Sequence, residues 1–124
     1  SLKLKEISYI NSSAFASGEL KHGTISLIEK DTPVMGIITD DNLALKTISN
    51  IKEVHARGAY SLFITSLDID GDFYDDKIKV PHINNYIDPI LIVASLQLLA
   101  YNVALLKGED IDKPRNLAKS VTVE

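Results

Sequence analysis

The run Asp68-Ile69-Asp70-Gly71-Asp72 places aspartates at alternate positions, the spacing of a calcium-binding loop. Its glycine stands too early in the loop, and Lys79 occupies the position that calls for a bidentate glutamate, so a solvated acidic loop is expected instead. No G-x-G-x-x-G or Walker-type run is available to cradle a nucleotide phosphate. His22, His55 and His82 are widely separated and lack ligand spacing, so neither a metal site nor a metal cofactor is expected. Two stretches remain that could do chemistry. One is Lys3-Leu4-Lys5-Glu6-Ile7-Ser8-Tyr9, followed by Lys21-His22-Gly23; the other is the end of the chain, from Asp112 through Pro114 and Lys119 to Glu124. On periodicity alone, Lys3, Lys5 and Glu6 form an exposed helix face and the terminal stretch is a frayed tail.

The elements that must hold these residues can be read from apolar patterning. Leu4, Ile7, Tyr9, Ile10 and Ala14 fall close to helical spacing, predicting a helix from Leu2 to about Phe15. It begins without a recognisable cap, though Ser1 could serve, and its abrupt start suggests a helix cut or continued from upstream. Gly18 and Gly23 bracket a short polar turn of helix, and Thr24 to Ile28 can add another. After Pro33, the β-formers Val34 to Thr39 predict a buried strand. Asp40-Asp41-Asn42 offers cap chemistry for a helix through Leu43, Leu45, Ile48, Ile51 and Val54, ending near Gly58. Ser61 to Thr65 and Lys77 to Val80 predict two more strands, the second stopped by Pro81. Asp88-Pro89 reads as the cap and first residue of a long apolar helix ending at Gly108, and the remainder as an extended tail. Strands apolar on both faces, set among helices, predict an α/β layered fold with a mostly parallel sheet.

Composition bounds the function. The 124 residues are 45% apolar and 24% charged, the balance of one globular domain or part of one. A formal charge of −4 without a basic cluster argues against nucleic acid as a partner. The absence of cysteine excludes disulfides and thiolate chemistry and suits a cytoplasmic setting. Ser1-Leu2-Lys3-Leu4-Lys5-Glu6 is too charged for a secretory leader. The apolar segment from Pro89 to Leu106 nears the length of a membrane span, but Ser95, Gln97 and Asn102 lie inside it. A helix covered by other protein, rather than a membrane segment, is expected.

Three motifs carry a resemblance. L-K-L-K-E-I-S-Y (2–9), A-S-G-E-L-K-H-G (16–23) and P-R-N-L-A-K-S-V-T-V-E (114–124) are similar to the isomerase half of the glucosamine-6-phosphate synthase family. The connecting L-Q-L-L-A-Y (96–101) also fits, so the resemblance spans the chain. Thr24 departs from it, since the family commonly has proline there. The resemblance implies a flavodoxin-like three-layer sandwich of the sugar-isomerase (SIS) type, here an N-terminally truncated second subdomain over residues 1–108 with a catalytic tail at 109–124. It implies a homodimer, fructose 6-phosphate or glucosamine 6-phosphate as ligand, and a first SIS subdomain and a glutaminase domain elsewhere in the same polypeptide. By the same resemblance, Glu6 is the base that moves a proton between C1 and C2, and His22 opens the sugar ring from a neighbouring subunit. Lys119 forms a Schiff base with the open-chain ketone, Lys3 sits beside the substrate hydroxyls, and Ala118 offers a backbone contact to the sugar. No cofactor is implied. Two other readings stand beside it: a non-catalytic SIS-type sugar-phosphate-binding or regulatory module, and an assembly element built on the long apolar helix.

Overall fold

A computed structural model describes residues 1–115 of the chain. In order, these form α1 (Leu2–Ser8), two 3-10 turns (Ser17–Lys21 and Thr24–Leu27), β1 (Pro33–Ile38), α2 (Asp41–His55), β2 (Tyr60–Thr65), β3 (Asp76–Lys79) and α3 (Asp88–Leu106). The chain divides into two compact units. One comprises Ser1–Ala14 together with the chain from Val93 onward, and the other comprises Phe15–Ile92.

The larger unit holds the sheet. All of its strand pairs are parallel, in the order β1-β2-β3, with Pro33 opposite Tyr60 and Leu62 opposite Asp76. The helix between β1 and β2 starts where the sequence predicts, because the Asp40 carboxylate accepts the Asn42 N–H at 2.9 Å. It lies on one face of the sheet, where Ile38, Ala44, Ile51, Phe63, Leu67 and Phe73 make a core. Gly36 sets how closely β1 approaches this helix: a Cβ there would stand 2.2 Å from Ile51 Cδ1. Burial along β1 alternates, with Gly36 and Ile38 covered while Met35 and Ile37 remain exposed. The expectation of strands buried on both faces therefore holds for much of β2, whose Phe63, Ile64 and Thr65 are buried, and fails for edge strand β1.

The acidic loop joining β2 to β3 is part of this core rather than a free loop. Phe73 meets Phe63 edge-on at 5.3 Å between centroids, and Tyr74 stacks on Phe63 at 5.4 Å. Gly71 is required by this packing, since a Cβ there would lie 2.6 Å from the Phe73 ring. Its aspartates face strand lysines: Lys77 Nζ reaches Asp70 at 2.5 Å, and Lys79 pairs with Asp68. The Lys77 ammonium beside Asp70 holds that carboxyl below its ordinary value.

In the smaller unit the first helix is shorter than its periodicity predicts. It stops at Ser8, because Tyr9 adopts a left-handed backbone at φ 54° and the Leu4 carbonyl takes the Ile10 N–H at 3.1 Å. Asn11, Ser12 and Ser13 then favour local side-chain bonding over helix. The Ser1 hydroxyl donates to the Ser12 carbonyl at 2.8 Å. The second departure concerns α3, for which apolar composition predicts cover on all sides. Ile92, Ala100 and Ala104 are buried, but Ile90, Leu98 and Leu106 are 63%, 62% and 88% exposed. By length and composition this helix could cross a membrane, and only 17% of its most apolar window is buried within the chain. Asn102 meets its polar need inside the helix, donating to the Leu98 carbonyl at 2.7 Å.

Candidate functional site

Two of the residues singled out from the sequence meet on α1. Lys3 and Glu6 are one helical turn apart and so share a face, where Lys3 Nζ lies 2.6 Å from Glu6 Oε2. The Glu6 side chain is 22% exposed, which leaves its carboxylate within reach of a ligand. Lys3 also lines a groove of about 560 Å³ with Ile7, Ala94, Gln97, Leu98 and Tyr101. This groove runs between α1 and the middle of α3 and is mainly apolar, with Lys3, Gln97 and Tyr101 as its polar residues.

The end of α1 is anchored. The Ser8 hydroxyl, fully buried, donates to the Ala100 carbonyl at 3.0 Å, and the Lys107 ammonium donates to the Ser8 carbonyl. The next residue, Tyr9, accepts the backbone N–H of Arg115 at 2.8 Å on its phenol oxygen. The Arg115 guanidinium also sits over the Tyr9 ring, 4.0 Å from the centroid. In the sequence Tyr9 is simply an apolar helix position, and its partner is 106 residues away, so no local signal marks it.

His22 belongs to the other unit, where it closes the 3-10 turn Ser17–Lys21 and is exposed. That turn is held on α2 by the Lys21–Glu53 ion pair at 2.5 Å and by Asn50 Nδ2 donating to Ser17 Oγ at 3.3 Å. Ala118 and Lys119 lie outside the described residues. The structure thus brings Lys3 and Glu6 together, and gives His22 an independent support.

A second polar feature escapes sequence reasoning. Asp88, by type and position a cap for α3, turns its carboxylate back instead. It accepts the N–H groups of Ile83 at 2.8 Å and Asn84 at 3.1 Å, and meets His82 Nδ1 at 2.6 Å. Burial pushes the Asp88 carboxyl upward, but the Ser66 hydroxyl, the two backbone N–H groups and the His82 ring outweigh it. Together they hold the group well below the usual carboxylate range. His82 lines a cavity of about 300 Å³ with Asp41, Ser66, Leu67, Asp68 and Ile69. The cavity lies beyond the carboxyl end of β2 and beside the start of α2, where open parallel sheets commonly receive ligands. The sequence signal available was an aspartate six residues after a histidine, in a spacing with no helical or strand meaning.

Parallel strands interleaved with helices make this an α/β domain. The chain belongs to the SIS domain family, whose sequence profile matches residues 1–107. It is 58% identical over 125 aligned positions to glutamine–fructose-6-phosphate aminotransferase (isomerizing) of Lactiplantibacillus plantarum, and 53% identical over 123 to that of Bacillus subtilis. Each match takes in 99% of this chain and 20% of the relative, so the chain spans about a fifth of their length. In three dimensions it is similar to the C-terminal domain of glucosamine-fructose-6-phosphate aminotransferase from Francisella tularensis. The TM-score is 0.81 at 39% identity, over 90% of this chain and 32% of that one.

Proposed function

We propose that this chain is part of the isomerase half of an enzyme that makes glucosamine 6-phosphate from fructose 6-phosphate and glutamine-derived ammonia, the first step of amino-sugar synthesis. The observation that carries the reading is the 58% identity to a glutamine–fructose-6-phosphate aminotransferase across 99% of the chain. Within the chain it is supported by the Lys3–Glu6 pair beside the α1–α3 groove. A carboxylate held at the edge of such a groove can take a proton from the carbon next to a carbonyl or imine and return it to the neighbouring carbon. The Lys3 ammonium, 2.6 Å away, stabilises the carboxylate before transfer and can bind the hydroxyls of an open-chain sugar. In this reading Lys119 supplies the amine that condenses with the C2 ketone, releasing water and leaving an electrophilic imine. His22 trades the ring-opening proton at a neighbouring subunit's site, acting as an acid–base group. Ala118 contacts the sugar through its backbone.

The rest of the catalyst, in this proposal, is carried by other parts of the same polypeptide: a first SIS subdomain that holds the sugar phosphate and a glutaminase domain that releases ammonia. Residues 1–108 act as the second SIS subdomain and 109–124 as the catalytic tail of a cytoplasmic homodimer. The experiment is kinetic. In the full-length enzyme, Glu6→Gln and Lys119→Ala are expected to lower glucosamine 6-phosphate formation by ~100-fold or more, the range for losing a positioned base or a covalent nucleophile. Glutamine hydrolysis should remain measurable in both. Near-normal synthesis by either variant would refute the assignment of that residue, and near-normal synthesis by both would favour a non-catalytic sugar-phosphate-binding module.

A further inference from the structure

We propose that the cavity beyond the carboxyl end of β2 binds a small molecule carrying a primary ammonium group on a short apolar stem, held between Asp41, Ser66 and His82. Every residue concerned belongs to the larger unit, apart from the α1 helix that carries Lys3 and Glu6. The proposal stands independently of the reaction discussed above.

Asp88 builds one wall of the site from behind. Its carboxylate is fully buried and accepts the N–H groups of Ile83 and Asn84 at 2.8 and 3.1 Å, which favours the ionised form. An ionised carboxylate can only accept, so His82 Nδ1, 2.6 Å away, is the ring nitrogen that carries a proton. That contact fixes both the tautomer and the orientation of the ring. Its other nitrogen, Nε2, has no partner among the described residues and is an acceptor in the neutral imidazole. Ser66 adds a second open group. It is 1% exposed, and its hydroxyl has no hydrogen-bond partner among the described residues, although it stands near enough to Asp88 to favour the carboxylate charge. A buried hydroxyl without a partner is costly, and this one lines the cavity, where a ligand can supply what is missing.

The lining selects the ligand. Asp41, exposed in the first turn of α2, has no ion-pair partner among the described residues. Asp68 is already paired with Lys79, so those two add no net charge. With Asp41 and Asp88 both negative, an anion is disfavoured and a cation favoured. A metal ion would need several imidazole or carboxylate groups converging on one point. Among the described residues no group of three or more histidines, aspartates or glutamates can hold one. A primary ammonium brings three separate donors, which suits acceptors spread over Asp41, Ser66 and His82. Leu67 and Ile69 complete the lining and offer apolar surface to a short carbon stem. The cavity, about 300 Å³, has room for a molecule of a few carbons.

The test is ligand-observed saturation-transfer NMR on the full-length protein. The probe is n-butylammonium, with n-butanol as its neutral counterpart and butyrate as its anionic one. Butylammonium is expected to saturate in about the millimolar range, the affinity open to a ligand of only ~5 non-hydrogen atoms. Butanol should bind at least about 10-fold more weakly, because it lacks the charge-assisted hydrogen bonds, and butyrate should give no saturable signal. Three variants locate the signal in the cavity. Asp41→Asn, Ser66→Ala and His82→Gln should each weaken butylammonium binding by about 5-fold or more, with melting temperatures recorded alongside. Equal binding of butylammonium and butanol would overturn the ammonium assignment. Butylammonium binding that all three variants leave unchanged would overturn the site, as would the absence of any saturable signal. Should His82→Gln fail to fold because it disturbs buried Asp88, exposed Asp41 decides the matter: unchanged binding in Asp41→Asn would then overturn the proposal.

Discussion

Replacing Gly36 with alanine would set a methyl group 2.2 Å from Ile51 Cδ1 and 2.7 Å from its Cγ1. Neither distance is tolerable, so something must move. Ile51 has little freedom to do so: it is 5% exposed in the core and, being β-branched on a helix, is held close to one χ1 rotamer. The remaining options are an off-rotamer side chain or a shift of α2 away from β1, and overpacking of this kind costs about 1–3 kcal/mol. For a domain of this size that lowers Tm by roughly 4 °C per kcal/mol. Ile51→Ala supplies the control. Alone it should cost about 2–5 kcal/mol through lost burial and a cavity. In the double variant the new methyl meets only the former Cβ position of Ile51, 3.9 Å away, an ordinary contact. Gly36→Ala should then be nearly neutral, giving a coupling of about 1–3 kcal/mol in a double-mutant cycle read from urea or thermal melts. Additivity within about 0.5 kcal/mol, or a single Gly36→Ala variant as stable as the parent, would refute the claim that this glycine sets the strand–helix distance.

Truncating Phe73, 3% exposed and in contact with Phe63 and Tyr74, should destabilise by about 3–5 kcal/mol in denaturant melts; a loss below about 1 kcal/mol would mean the acidic loop is not part of the core. Asp88 predicts an acid limit. Because its folded carboxyl lies below its ordinary value of 3.8, the stability it contributes is present in full above that pH and is lost as the pH falls below it toward the folded value. Asp88→Asn should therefore flatten the acid side of a Tm-versus-pH curve while lowering Tm at neutral pH, and identical acid slopes in both proteins would contradict the assignment.

Much of the fold was legible because its signals are local. Apolar runs set off by Pro33, Gly58 and Pro81 set out the strands and α2, and Asp40 caps that helix through a contact two residues away, which no distant part of the chain can alter. The motif carrying Lys3 and Glu6 was equally plain, since their shared face follows from helical spacing alone. What the sequence could not reveal depends on partners far along the chain. Helical periodicity runs past Tyr9, yet α1 stops there, because a left-handed residue is worth its strain only when Ser8 and Arg115 hold it from both sides. Asp88 carries a cap's residue type and a cap's position before Pro89, but its carboxylate faces three donors behind it, and only the folded loop brings them together. Likewise, an apolar stretch states that α3 has surface to hide without stating what hides it. Burial is a property of neighbours in space, and a one-dimensional pattern records only neighbours in the chain.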